Sequence, residues 1–231
     1  MASAGENLLN VLTDQIITGA LAPGDRLPSE RNLATEYGAS RTMVREALRT
    51  IEAQGLVQVR PGMGTFVTSS DVTSVPSHVE TVFSRARATS RHVAVARIML
   101  DVEAARLAAE NATADDLASI EAALLPFESA ATAMARADWD VAFHERVTSA
   151  SHNPVLELMF ASIRTYIHHL TLHSALTSAV RKKSKPLHRE LYEAIAAGDA
   201  PRAQQIAAEH GRVALDLYGL DLDVPLSDLR H

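Results

Sequence analysis

The sequence has no cysteine in its 231 residues. Disulfides, thiolate catalysis and any cysteine-ligated zinc site are thereby excluded, and a reducing cytoplasm fits. Any metal must sit on His, Asp or Glu. Long apolar runs are missing too, since none approaches the roughly 18 residues that a membrane span needs. The stretch Met1-Ala2-Ser3-Ala4-Gly5-Glu6 lacks the basic region and apolar run of a secretory signal, so a cytoplasmic protein is expected. Aromatic residues, which favour strands, are only 4% of the chain, whereas alanine, the best helix former, occurs 39 times. The expectation is therefore a mainly α protein. Positive charge is also in short supply. The formal net charge of −6 does not advertise nucleic-acid binding, although binding follows the local patch rather than the total.

What is present is enough to fold. Apolar residues make up 47% and charged residues 22%, a globular composition, and the length allows one large domain or two small ones. Residues 1–68 read as one unit. Leu8, Leu9, Leu12, Ile16 and Ile17 recur at helical spacing, and Pro23-Gly24-Asp25 makes a turn. Ser29 offers an N-cap for a short second helix. Ser40 caps a third, running from Arg41 to about Ala53, with Val44, Ala47, Leu48 and Ile51 on its apolar face. Leu56 to Arg60 alternates like a strand, Pro61-Gly62-Met63-Gly64 turns, and Thr65-Phe66-Val67 returns. The order is helix, helix, helix, hairpin.

On the third helix the apolar stripe leaves Arg41, Thr42, Arg45 and Arg49 on other faces. Arginine forks bidentately onto guanine in the major groove and also neutralises phosphate. Arg31 on the preceding helix can reach the same surface, and the glycine-rich hairpin tip has little bulk. A solvated face paired with Glu46 and Glu52 is the plainer reading. The six basic residues before position 70 face seven acids, so local charge does not decide between them.

The ordered strings do more. Pro23-Gly24-Asp25-Arg26-Leu27-Pro28-Ser29-Glu30-Arg31-Asn32-Leu33-Ala34, Ser40-Arg41-Thr42-Met43-Val44-Arg45-Glu46-Ala47-Leu48, Gly55-Leu56-Val57 and Pro61-Gly62-Met63-Gly64-Thr65-Phe66-Val67 together resemble the GntR family of bacterial transcription regulators. The resemblance implies a winged helix-turn-helix that binds double-stranded DNA as a homodimer on a pseudo-palindromic operator. It assigns the contacts to Arg31, Ser40, Arg41, Thr42, Arg45 and Gly62. Met63 departs from the family, which often has a basic or polar residue there.

Residues 69–77 have the small polar composition of a linker. Beyond them helical patterns run over about 78–87, 91–111, 114–136, 138–151, 154–177, 186–198 and 200–218, and the tail 220–231 reads as irregular. Asp140 and His144 are four apart and share a helix face. With His188 and His210 they make three imidazoles and one carboxylate, a donor set suited to Zn, Ni, Mn or Fe. The chain holds ten histidines, and His168, His169 and His173 show that spacing alone does not single out this quartet.

The run Arg97-Ile98-Met99-Leu100-Asp101, then Asp140-x-x-Phe143-His144, Ser149 to Pro154, His188, Ala194 to Asp199 and His210 resembles the FCD effector domain of the FadR-type branch of GntR regulators. The resemblance covers about 78–219 and implies an all-α antiparallel bundle. It further implies a divalent metal on Asp140, His144, His188 and His210, with zinc placed ahead of nickel and manganese. A small carboxylate or hydroxy acid then sits beside the metal. Arg97 and Asn153 match effector-side residues. Asp101 stands where the family has glutamate, so an Arg97–Asp101 ion pair is the rival reading for Arg97, and a helix cap is the rival for Asn153. The functional expectation is a regulator, a repressor in sign, controlled by a small acid, with no enzymatic activity and no membrane. A metal-dependent enzyme with a DNA-binding domain, or a bundle with a purely structural metal, are the alternatives.

Overall fold

Serine side chains start the N-terminal helices in the computed structural model, which describes residues 3–68, 76–176, 178–217 and 222–229. Ser3 caps α1 (Ala4–Ile17) in a reciprocal box with Glu6, Ser29 caps α2 (Glu30–Glu36), and Ser40 caps α3 (Arg41–Ala53). Each hydroxyl accepts an orphan N–H of the first turn. Strands β1 (Val57–Arg60) and β2 (Gly64–Val67) pair antiparallel, with Val57 opposite Val67 and Arg60 opposite Gly64. Gly62 sits in the connecting turn at φ +74°, a left-handed conformation that glycine adopts without strain. Leu8, Leu12, Leu33, Val44, Leu48, Ile51, Val57 and Val67 bury together as the core. Helix, helix, helix, two-stranded wing is a winged helix-turn-helix.

The chain divides into two units, Met1–Ser74 and Val75–His231. The linker expected over 69–77 falls mostly outside the described residues. In the second unit come α4 (Pro76–Arg85), α5 (Ser90–Asn111), α6 (Ala114–Ser129), α7 (Ala133–Ser149), α8 (Pro154–Ala175), α9 (Ser178–Ala196) and α10 (Ala200–Leu217), then a short 3-10 turn, Leu226–Leu229. Short connections between α6 and α7, α7 and α8, and α9 and α10 join helices that pack on each other, so these neighbours run antiparallel. Two apolar clusters fill the bundle. One gathers Ile120, Leu124, Phe143, Leu191 and Ile206, and the other gathers Val141, Phe160, Ile167, Leu222 and Leu226. Leu222 and Leu226 thus pack the segment after α10 onto the bundle. No helix among the described residues is long and apolar enough to cross a membrane.

Two helix boundaries differ from the sequence expectation. The pattern predicts one helix over 114–136, but α6 ends at Ser129 and α7 begins at Ala133. Thr132 accepts from the Ala135 N–H at 3.1 Å, and this cap starts a new helix despite the alanine-rich surroundings. The pattern also predicts a helix starting at Pro186, whereas α9 begins eight residues earlier and holds Pro186 inside it. A proline there removes one backbone hydrogen bond, and burial of Leu187 and Leu191 on the core holds the helix through it. At the α5–α10 contact, Gly211 meets Ile98. A methyl group at Gly211 would lie 2.6 Å from Ile98 Cγ1, so only hydrogen fits.

Candidate metal centre and nucleic-acid interface

Asp140 and His144 stand one turn apart on α7, His188 lies on α9 and His210 on α10. All four are buried, and one donor atom from each lies within 4.8 Å of all the others. The quartet expected from the sequence is therefore one cluster. His168, His169 and His173 belong elsewhere, with His168 Nε2 2.8 Å from Asp138 Oδ1 and the rings of His169 and His173 tilted against each other with centroids 4.5 Å apart.

The surroundings orient each donor. His188 Nδ1 is 3.0 Å from the Ser184 carbonyl oxygen, which only accepts, so the proton lies on Nδ1 and the Nε2 lone pair faces inward. That Nε2 is 2.9 Å from Asp140 Oδ1. Two acceptors at this separation need a positive charge between them, either a proton or a metal ion. His144 Nδ1 lies 3.4 Å from Asp101 Oδ2, while its Nε2 is buried with no hydrogen-bond partner among the described residues. Native structures rarely leave such an atom orphaned, and a missing ion is one of the accepted reasons. His210 Nε2 is 2.9 Å from Ser184 Oγ. Burial first, and then His188 and His144, push His210 well below the usual imidazole range, so its ring stays neutral as ligation requires. The orphaned Nε2 and the mixed imidazole and carboxylate set fit a divalent ion.

Arg97 on α5 ties the acidic side together. Its Nη2 donates to Asp140 Oδ2 at 3.0 Å, its Nε to Asp101 Oδ2 at 3.2 Å and its Nη1 to Thr171 Oγ1 at 2.9 Å. Burial works to raise the Asp140 carboxyl. Arg97, followed by His188 and His144, outweighs it and holds Asp140 well below the usual carboxylate range. Asp101 is likewise lowered: burial opposes ionisation, but His144 and Arg97 prevail. The Arg97–Asp101 ion pair is therefore present, and Arg97 also reaches the quartet itself. Asn153, at the start of α8, accepts from the Val155 and Leu156 N–H groups at 3.1 and 3.3 Å, so the cap is present as well. Three supporting residues escape a reading by family strings: Asp101 as partner of His144, Thr171 and Ser184. Ser184 lies four residues before His188, and extending α9 back through Pro186 would have exposed the pair.

In the winged unit the candidate DNA contacts are on the surface. Arg31, Arg41, Thr42 and Arg45 are exposed, Ser40 caps α3, and Gly62 is at the exposed wing turn. Glu30 holds two of the arginines, with Arg45 Nε donating to its Oε2 at 2.9 Å and Arg41 Nη2 forming a looser ion pair with it at 3.7 Å. Arg49 pairs with Glu46 at 2.8 Å. These exposed pairs are weak and exchange readily for phosphate or base contacts.

Known proteins agree with both halves. Residues 5–67 match the family described as bacterial regulatory proteins, gntR family, and residues 92–212 match the FCD domain. The HTH-type transcriptional regulator LutR of Bacillus subtilis is 30% identical over 84% of this chain and 92% of its own length. The galactonate operon transcriptional repressor of Escherichia coli is 30% identical, over 87% and 91%. The solved structure of Streptococcus agalactiae GntR covers 90% of this chain and 97% of that one with a TM-score of 0.70 at 24% identity, a likeness of fold. These relatives are named as regulators of transcription and none as an enzyme. A winged helix-turn-helix followed by a helical FCD bundle, matched over both segments, makes this chain a DNA-binding transcriptional regulator of the GntR family.

Proposed function

We propose that the chain is a cytoplasmic repressor whose hold on its operator is controlled by a small carboxylate or hydroxy acid bound at a metal centre in the bundle. Residues 1–68 read DNA, 69–77 link, 78–219 sense, and 220–231 follow as a tail. A single winged helix reads only a few base pairs, so a homodimer on a pseudo-palindrome is the working form. Arg41 and Arg45 contact bases, Arg31 and Thr42 contact bases or phosphate, Ser40 holds the helix start, and Gly62 lets the wing approach the backbone.

The observation that carries the sensing half is the orphaned His144 Nε2 inside the buried quartet. A buried ionic cluster is a poor way to stabilise a bundle, because desolvation of the charges offsets most of their attraction. Its presence points to a ligand. Asp140, His144, His188 and His210 would hold one divalent ion, zinc ahead of nickel or manganese. Such an ion supplies a Lewis-acid position for a carboxylate oxygen. Arg97, the effector-side cation of the family, keeps Asp140 ionised and aimed, while Asn153 fixes the start of α8. An acid can release the operator only if the two dimer arrangements differ in affinity for it. The name of the galactonate operon repressor supports the repressing sign.

Elemental analysis of protein purified without chelator and offered zinc is the direct test. One ion per chain is expected, and His188→Ala/His210→Ala should lose both the ion and release by acid while keeping operator binding. Wild-type protein holding well under one ion per chain would overturn the metal centre. A purely structural ion would instead raise the melting temperature with no acid altering operator affinity.

A further inference from the structure

Beside Asp140 a small cavity of about 30 Å³ opens between α7, α8 and α9. A water needs about 10–15 Å³ by this measure, so the space takes one or two waters, or a single carboxylate head. Arg136 and Lys185 line it, with hydroxyls from Thr171, Ser174 and Ser184. Phe127 and Ala175 supply its apolar wall.

The charges around it are unevenly spent. Arg136 Nη1 donates to the Ala130 and Ala131 carbonyls at 3.1 and 3.4 Å, and Nη2 donates to the Ala175 carbonyl at 3.4 Å, but its Nε is buried with no partner among the described residues. None of these partners carries a charge, so among the described residues the guanidinium has no counterion. Lys185, exposed at the cavity, gives one of its three hydrogens to the Glu128 carbonyl at 2.7 Å. The Glu128 carboxylate is engaged by Arg189 at 2.6 and 3.0 Å. Asp140, the anion on the cavity wall, is engaged by Arg97. Arg136, with no counterion among the described residues, and Lys185, which shares Glu128 with Arg189, therefore face a space one carboxylate wide.

We propose that Arg136 and Lys185 are the effector-reading cations, receiving the carboxylate of a short acid in this cavity. Arg97 stays within the metal centre. This rests on the acid-sensing reading above and adds the residues and the size that select the ligand. An uncharged diol of the same size lacks the attraction. A bulky side chain at Ala175 would fill the space against Asp140 and leave no room for the acid.

The test is calorimetric titration of the zinc-loaded full-length protein with glycolate and lactate, with 1,2-propanediol as the uncharged control, and zinc per chain measured in parallel. Wild type should bind both acids and not the diol. Lys185→Gln should weaken the acids by about tenfold, the scale of one charge-assisted contact. Ala175→Phe should abolish acid binding, and both variants should keep one zinc. If both bind acid like wild type, the cavity is not the acid site, while the sensing reading stands. If wild type binds neither acid, that reading and this inference fall together. Loss of zinc in either variant would make its residue a support of the metal cage and overturn the assignment.

Discussion

The two halves hold their functional side chains in opposite ways. In the winged unit Arg31, Arg41 and Arg45 stand in water, and the pairs that Arg41 and Arg45 make with Glu30 are exposed. In the bundle Arg97, Asp101, Asp140, His144, His188 and His210 are all buried and lean on each other. Exposed charges add little to stability, so they are changed at the expense of binding alone. Buried ones are interdependent, and removing one leaves the others without a partner. Binding and folding are therefore separable properties in the first half and one property in the second.

The largest effect should come from Arg97→Leu, which strips the cation from two buried carboxylates. The bundle should lose about 3–5 kcal/mol in urea denaturation of metal-free protein. Zinc should restore part of the loss through Asp140, and no loss at all would break the contrast between the halves. Next comes the metal. Chelation should destabilise the bundle by about 2.7 kcal/mol relative to protein in zinc at 100 times its dissociation constant. The melting transition of the winged unit should stay where it was.

In the exposed half, Arg45→Ala should weaken operator binding by about 1–3 kcal/mol at matched salt. Its folding stability should change by no more than about 0.5 kcal/mol. A large change in stability there would erase the distinction. The smallest effect is the pH dependence of the metal-free bundle. His210 is neutral when folded and has its ordinary value of 6.5 when unfolded. Below pH 6.5 the unfolded chain takes up a proton that the folded chain refuses, so stability falls as pH falls, by about 1.4 kcal/mol per pH unit. His210→Gln should flatten this slope. Asp140, lowered on folding, adds its loss only below its ordinary value of 3.8.

The same contrast governs what could be read from the sequence. In the winged unit function follows local strings. Ser29 and Ser40 announce their helices, the apolar stripe of α3 leaves its arginines outside, and glycines mark the wing. In the bundle the quartet is spread over three helices, and spacing proves only that Asp140 and His144 share a face. The remaining convergence came from resemblance, because helix packing is a long-range property. Thr132 and Pro186 misled the boundaries, the first by an unread cap and the second by a helix that tolerates proline under good packing. The misplaced start of α9 hid Ser184, which contacts His188 and His210, and Lys185, which lines the cavity beside Asp140.

Gly211 follows His210 directly and admits only hydrogen against Ile98. The spacing between α5 and α10 thus acts as a mechanical gauge for the donor next to it. Gly211→Ala would leave every donor in place along the sequence and still wedge α10, the helix of His210, outward by part of a bond length. If the quartet holds an ion, its choice of ion can then be retuned from behind the site, by changing how far His210 reaches rather than which donors are present.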